Sequence, residues 1–136
     1  MPRLNTINPE SDTCKGAEIL NGPLKEKQLN IFKGLAAHPT VLQAFLGWSQ
    51  SAKGGALTAE EWEVVQLLAA EKMRCDYCLA AHTTIAKGIG MSEEESLGIR
   101  KRESDDPKLQ ALIQFTAEVL DTYGCVSDET LATFLD

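Results

Sequence analysis

Thr58-Ala59-Glu60-Glu61-Trp62-Glu63-Val64-Val65-Gln66-Leu67-Leu68, running on to about Lys72, is the stretch that decides the fold class. Thr58 and Glu61 stand three residues apart at its start. A hydroxyl and a carboxylate at that spacing satisfy each other's orphan backbone donors, so the pair reads as a capping box. Val64, Val65, Leu67 and Leu68 then recur at helical spacing and form a buried face.

The same punctuation repeats on both sides. Upstream, a helix is expected from Pro23 to Ala37, with Leu24, Ile31, Phe32 and Leu35 inward. Another follows Pro39, carrying Val41, Leu42, Phe45, Leu46 and Trp48, and ends near Lys53-Gly54-Gly55. Downstream, a helix begins at Cys75 or Asp76 and stops at Gly88, taken as the left-handed residue after its end. Ser92 and Glu95 cap a short one. Asp106-Pro107 makes an N-cap and N1 pair for a long one that buries Leu109, Leu112, Ile113, Phe115, Val119 and Leu120 and stops at Gly124. Ser127-Asp128-Glu129 opens a last helix. Strand-like alternation is almost absent, so the fold is expected to be all-α.

Residues 1–22 are polar, broken by Pro2, Pro9 and Gly16, and read as an extended N-terminal arm. Residues 23–136 read as one helical domain. Its end at Asp136, two turns into a helix, reads as a truncated C-terminus or a tail completed by another subunit. The 136 residues are 43% hydrophobic and 24% charged, which suits a single globular core. A formal net charge of -7 opposes nucleic-acid binding, which runs on Lys and Arg. The opening residues lack a signal-like apolar region and no run approaches the ~18 residues of a membrane span. The expectation is a cytoplasmic protein with no membrane and no nucleic-acid partner.

Four cysteines are present, and Cys75 and Cys78 are the only close pair. In a reducing compartment such a pair is more often catalytic, redox-sensing or metal-binding than a structural staple. On a helix, Cys75, Cys78 and His82 fall at i, i+3 and i+7, on one face. The cysteines occupy the first turn, where backbone N–H groups and the helix dipole favour a thiolate. His82 lies one turn below Cys78 and can serve as its general base. The preceding helix offers Glu63, at the edge of its apolar arc, and Glu71, nearer the centre. Either could orient the histidine.

Glu63, eleven intervening residues, Cys75-Asp76-Tyr77-Cys78, three more residues and His82 together resemble the core motif of the AhpD-like alkylhydroperoxidases within the carboxymuconolactone decarboxylase family. Cys78-Leu79-Ala80-Ala81-His82-Thr83, Met1-Pro2-Arg3-Leu4, His38-Pro39 and Val126-Ser127-Asp128 are similar to further parts of its members. The resemblance implies an AhpD-like helical domain of six to seven helices, assembled as a homo-oligomer, trimer or hexamer. It implies an antioxidant thiol-disulfide oxidoreductase that reduces alkyl hydroperoxides. Cys75 and Cys78 would be the redox pair, Glu63 and His82 the proton relay, and Glu71 second choice to Glu63. Tyr77 departs from members that carry a histidine between the cysteines, and is a secondary candidate. The implied partners are a hydroperoxide substrate and a thiol or disulfide reductant protein. No cofactor and no metal are expected.

Other readings compete. A zinc site could use Cys75, Cys78, His82 and Glu63, although glutamate is an unusual fourth ligand in a closed site. A redox sensor or disulfide reductase would form the same disulfide with slow peroxide turnover. A carboxymuconolactone decarboxylase-like enzyme would, by resemblance, lack the paired cysteines. Ala81 through Arg100 can be drawn as a helix-turn-helix, but its second helix opens on Glu93-Glu94-Glu95, the wrong charge for DNA. His38 reads as a helix-opening residue, and Cys14 and Cys125 as structural or incidental. Phe45, Trp48 and Phe115 read as core or subunit interface.

Overall fold

The computed structural model describes residues 4–135, and among them every regular element is helical. In chain order these are α1 (Lys15–Asn21), α2 (Asn30–Leu35), α3 (Pro39–Lys53), α4 (Ala59–Lys72), α5 (Asp76–Gly88), α6 (Glu93–Arg100), α7 (Pro107–Thr122) and α8 (Asp128–Leu135). No helix of the described residues is long and apolar enough to cross a membrane. Most of the Met1–Leu4 start, and Asp136, lie outside the described residues. The chain divides into two compact units, Met1–Gly55 and Ala56–Asp136. That division falls after α3, not at the Gly22–Pro23 boundary suggested by composition.

In the first unit, Leu20, Leu24, Ala36 and Leu42 form a buried cluster, with Ile7, Ile19, Phe32, Leu35 and Leu46 packed on it. Two expectations are corrected here. The supposed arm contains α1, which buries Gly16, Ala17 and Leu20. Three small or apolar residues at helical spacing suffice to dock seven residues, even though polar neighbours hide the period. The helix expected over 23–37 is confined to α2. Leu24 turns back to donate to the Ile19 carbonyl, and the Gln28 amide donates to the carbonyls of Leu20 and Leu24 at 2.7 and 3.3 Å. Residues 23–29 therefore close the end of α1 instead of starting a helix. Of the four expected inward residues Leu24 is buried, Phe32 and Leu35 are half-buried, and Ile31 is exposed. On α3, only Leu42 is fully enclosed, while Val41 and Trp48 are exposed.

The second unit is built around α4. Val64, Leu67 and Leu68 join Ala86, Met91, Ile99, Leu112 and Ile113 in one core, with Val65, Leu109, Leu120 and Phe134 against it. The α4 capping box forms as expected: Glu61 N–H donates to Thr58 Oγ1 at 3.2 Å and Thr58 N–H to Glu61 Oε2 at 2.7 Å. Ser92 and Glu95 repeat the arrangement on α6. The Asp106 carboxylate accepts from the backbone N–H groups of Lys108 and Leu109 at the start of α7. Phe115 stacks on Phe134 with ring centres 4.3 Å apart, which ties α8 to α7. The turn after α5 differs from expectation. Gly88 is still helical, and Gly90, at φ +103°, takes the left-handed conformation.

Candidate active site

Glu63 points from α4 into the protein and is 2% exposed. A carboxylate at that depth requires a polar partner. Its Oε2 lies 2.7 Å from Nδ1 of the half-buried His82 on α5. The contact fixes the imidazole ring. When Nδ1 carries the proton and donates to Glu63, Nε2 is left with a lone pair that can take a proton from a neighbour.

Cys75 and Cys78 are joined by a disulfide, with Cα atoms 5.2 Å apart. Cys75 is not part of the α5 body. It is the N-cap, at φ -97° and ψ 91°, and its Sγ accepts from the Cys78 N–H at 3.2 Å. No Ser, Thr, Asn or Asp occupies that position, so sulfur performs the capping usually done by oxygen. In the dithiol state the same N–H and the positive end of α5 would favour charge on Cys75 Sγ. Sequence reading placed both cysteines in the first turn and missed this role; the absence of an ordinary capping residue before Asp76 is the signal for it.

Cys78 and His82 both lie within α5, at i and i+4, a spacing that sets their Cβ atoms roughly 5–6 Å apart. Both cysteines are half-buried, so burial does not distinguish them. Tyr77, between them, is 46% exposed.

Glu71 is elsewhere. Its Oε2 accepts from Arg100 Nε of α6 at 2.7 Å, and the carboxylate is half exposed. At 3.6 residues per turn, position 71 stands about 80° round α4 from position 63, on the side where Arg100 meets it. Spacing alone left both glutamates open and the resemblance preferred Glu63; in the structure Glu63 meets the histidine and Glu71 meets Arg100 instead.

Among the described residues, no group of three or more His, Cys, Asp and Glu side chains is gathered as a metal site. Cys14 and Cys125 are free and exposed. His38 is the N-cap of α3 ahead of Pro39, without a capping bond from its side chain. A cleft of about 1340 Å³ runs along α6 and the start of α7, lined among others by Glu93, Leu97 and Gln110. None of Glu63, Cys75, Cys78 or His82 lines it.

No curated protein matches the chain. The family model described as the carboxymuconolactone decarboxylase family matches residues 39–118, from the start of α3 into α7 and so across every residue of this site.

Proposed function

Because the chain belongs to the carboxymuconolactone decarboxylase family, we propose that it is an AhpD-like thiol-disulfide oxidoreductase that reduces alkyl hydroperoxides. The observation that carries this reading is the Glu63–His82 contact on the helix that begins with the Cys75–Cys78 disulfide. A decarboxylase has no need of a sulfur pair, and a purely structural disulfide has no need of a buried carboxylate oriented on a histidine.

In the reduced protein, His82 Nε2 takes the proton of one thiol while Glu63 holds the ring and its Nδ1–H. The thiolate attacks the O–O bond of the hydroperoxide, and the leaving alkoxide takes a proton to become the alcohol. The sulfur is now a sulfenic acid. The second thiol attacks it, forming the disulfide and releasing water. A thiol reductant then supplies two electrons and two protons to restore the dithiol. The i, i+4 relation to His82 supports Cys78 as the attacking sulfur. Cys75, held at the start of α5, then resolves it and meets the reductant. Self-association, through surfaces such as the exposed Val41 and Trp48 of α3, belongs to the same reading.

The test is peroxide consumption by wild type, Cys75→Ser, Cys78→Ser and His82→Gln with an alkyl hydroperoxide and a dithiol reductant, together with trapping of sulfenic acid. Loss of turnover in all three variants, with trapping retained only in Cys75→Ser, is expected. Trapping retained only in Cys78→Ser would exchange the two sulfur roles, and equal rates in all four proteins would overturn the reading.

A further inference from the structure

Three described residues other than glycine have positive φ, and two of them are arginines at equivalent places: Arg74 at φ 51° after α4, and Arg102 at φ 70° after α6. Each is the residue following a helix C-cap, where the left-handed backbone disfavours any Cβ and glycine or asparagine is the usual occupant. The hydrogen bonds of the turn are present in both cases. Cys75 N–H donates to the Ala70 carbonyl, and Glu103 N–H to that of Gly98. The turns would close more easily with glycine.

Both arginines line the same notch. It has a volume of about 230 Å³, a floor formed by Leu68, Ala117 and Leu120, and a rim that also includes Lys72 and Arg100. Four cations thus converge in a chain whose formal net charge is -7. Two carboxylates answer them. Glu71 accepts from Arg100, and Asp121 from Arg102 at 2.7 and 3.2 Å and from Lys72 at 2.5 Å. Arg74 makes no ion pair among the described residues. Two positive charges remain uncompensated around a concave space. Favourable interaction with the helix C-termini accounts for Lys72 and Arg100. It does not account for arginine at two positions where the backbone favours glycine.

We infer that this notch is an anion-binding site, taking a phosphate or carboxylate group between Arg74 and Arg102 with Lys72 and Arg100 at its sides. A planar guanidinium presents paired donors to either head group, and the apolar floor leaves room for a short tail. Asp121 is already engaged by two cations, so it orients Arg102 and leaves the remaining donors to the ligand. The inference does not rest on the sulfur chemistry and is tested without turnover.

The experiment is calorimetric titration of the full chain in its disulfide form with inorganic phosphate and, separately, succinate, in a buffer of low ionic strength to limit screening. Saturable binding of at least one anion is expected, with a dissociation constant on the order of 1 mM or tighter. The anion bound more tightly identifies the head group. Arg74→Gly and Arg74→Gln should each weaken it about tenfold, the loss of one charge-assisted hydrogen bond. Lys87→Gln, on exposed α5 surface away from the notch, should leave it unchanged. Circular dichroism of both Arg74 variants checks folding, and glycine is the residue the turn accepts most readily. No saturation with either anion, undiminished affinity in the Arg74 variants, or an equal loss in Lys87→Gln would overturn the inference.

Discussion

A buried glutamate that meets a histidine across two helices is the feature on which the site turns. Glu63→Gln keeps the shape and one hydrogen bond but removes the charge that fixes the ring with Nδ1 protonated. We expect kcat/KM for an alkyl hydroperoxide to fall about 100-fold or more, the usual scale for losing general acid–base assistance. Glu71→Gln breaks only the half-exposed pair with Arg100, and should leave turnover within about twofold and stability within about 1 kcal/mol. Steady-state kinetics and thermal melts of both variants check this contrast. The cysteine and histidine positions were legible because their spacing lies along one helix. Spacing alone did not choose between Glu63 and Glu71, since that depends on which side of α4 is covered by α5 and which by α6; the motif resemblance preferred Glu63.

At the level of the helix, the start of α4 joins a capping box to an ion pair. Glu61 bonds Lys108 Nζ at 2.6 Å as well as the Thr58 N–H. The Lys108 ammonium, followed by the Thr58 bond, holds the Glu61 carboxyl well below its ordinary 4.5, at about 2. A carboxyl lowered by folding stabilises the native state fully above its unfolded pKa, and the contribution disappears as pH falls through the folded value. Glu61→Gln should therefore melt below wild type at pH 7, with the gap narrowing from about pH 5 and closing near pH 2 in thermal scans. Thr58→Ala should cost about 1 kcal/mol at neutral pH.

On α1 two effects of opposite sign compete. Alanine is a better helix former than glycine by about 1 kcal/mol. A Cβ on Gly16, however, would run into the backbone carbonyl of Ala36, which cannot move aside as a side chain can. The overlap should win, and Gly16→Ala should lose about 1–3 kcal/mol in denaturant unfolding. Helix starts marked by Thr58, Ser92 and Asp106 could be read in advance, because a cap is a local bond between neighbours. The shortness of α2, the presence of α1 and the shift of the left-handed residue from Gly88 to Gly90 could not. Each depends on where a distant segment lies.

For the molecule as a whole, the formal charge of -7 and the Glu93-Glu94-Glu95 opening of α6 argue against a nucleic-acid surface. The four cations gathered at the ends of α4 and α6 are too few, three of them already paired with Glu71 or Asp121, to follow a phosphate backbone. Filter binding with duplex DNA should detect no salt-sensitive affinity; a strong salt slope would reverse this.

Read alone, the sequence determined the all-helical class, most helix starts, the cysteine pair with its histidine, and the family. The first three follow from periodicity, capping chemistry and spacing within single elements, which act between residues close in the chain; the family follows from the resemblance of a motif that also takes in Glu63. Only the tertiary structure showed Glu63 in contact with His82 and Glu71 with Arg100, and decided that Cys75 caps α5 through sulfur, that residues 15–21 are helical, and that Arg74 and Arg102 face one notch. The physical reason is the same in each case. A buried charge, a cap without an oxygen, a short docked helix and a strained turn are all settled by the groups that packing brings beside them.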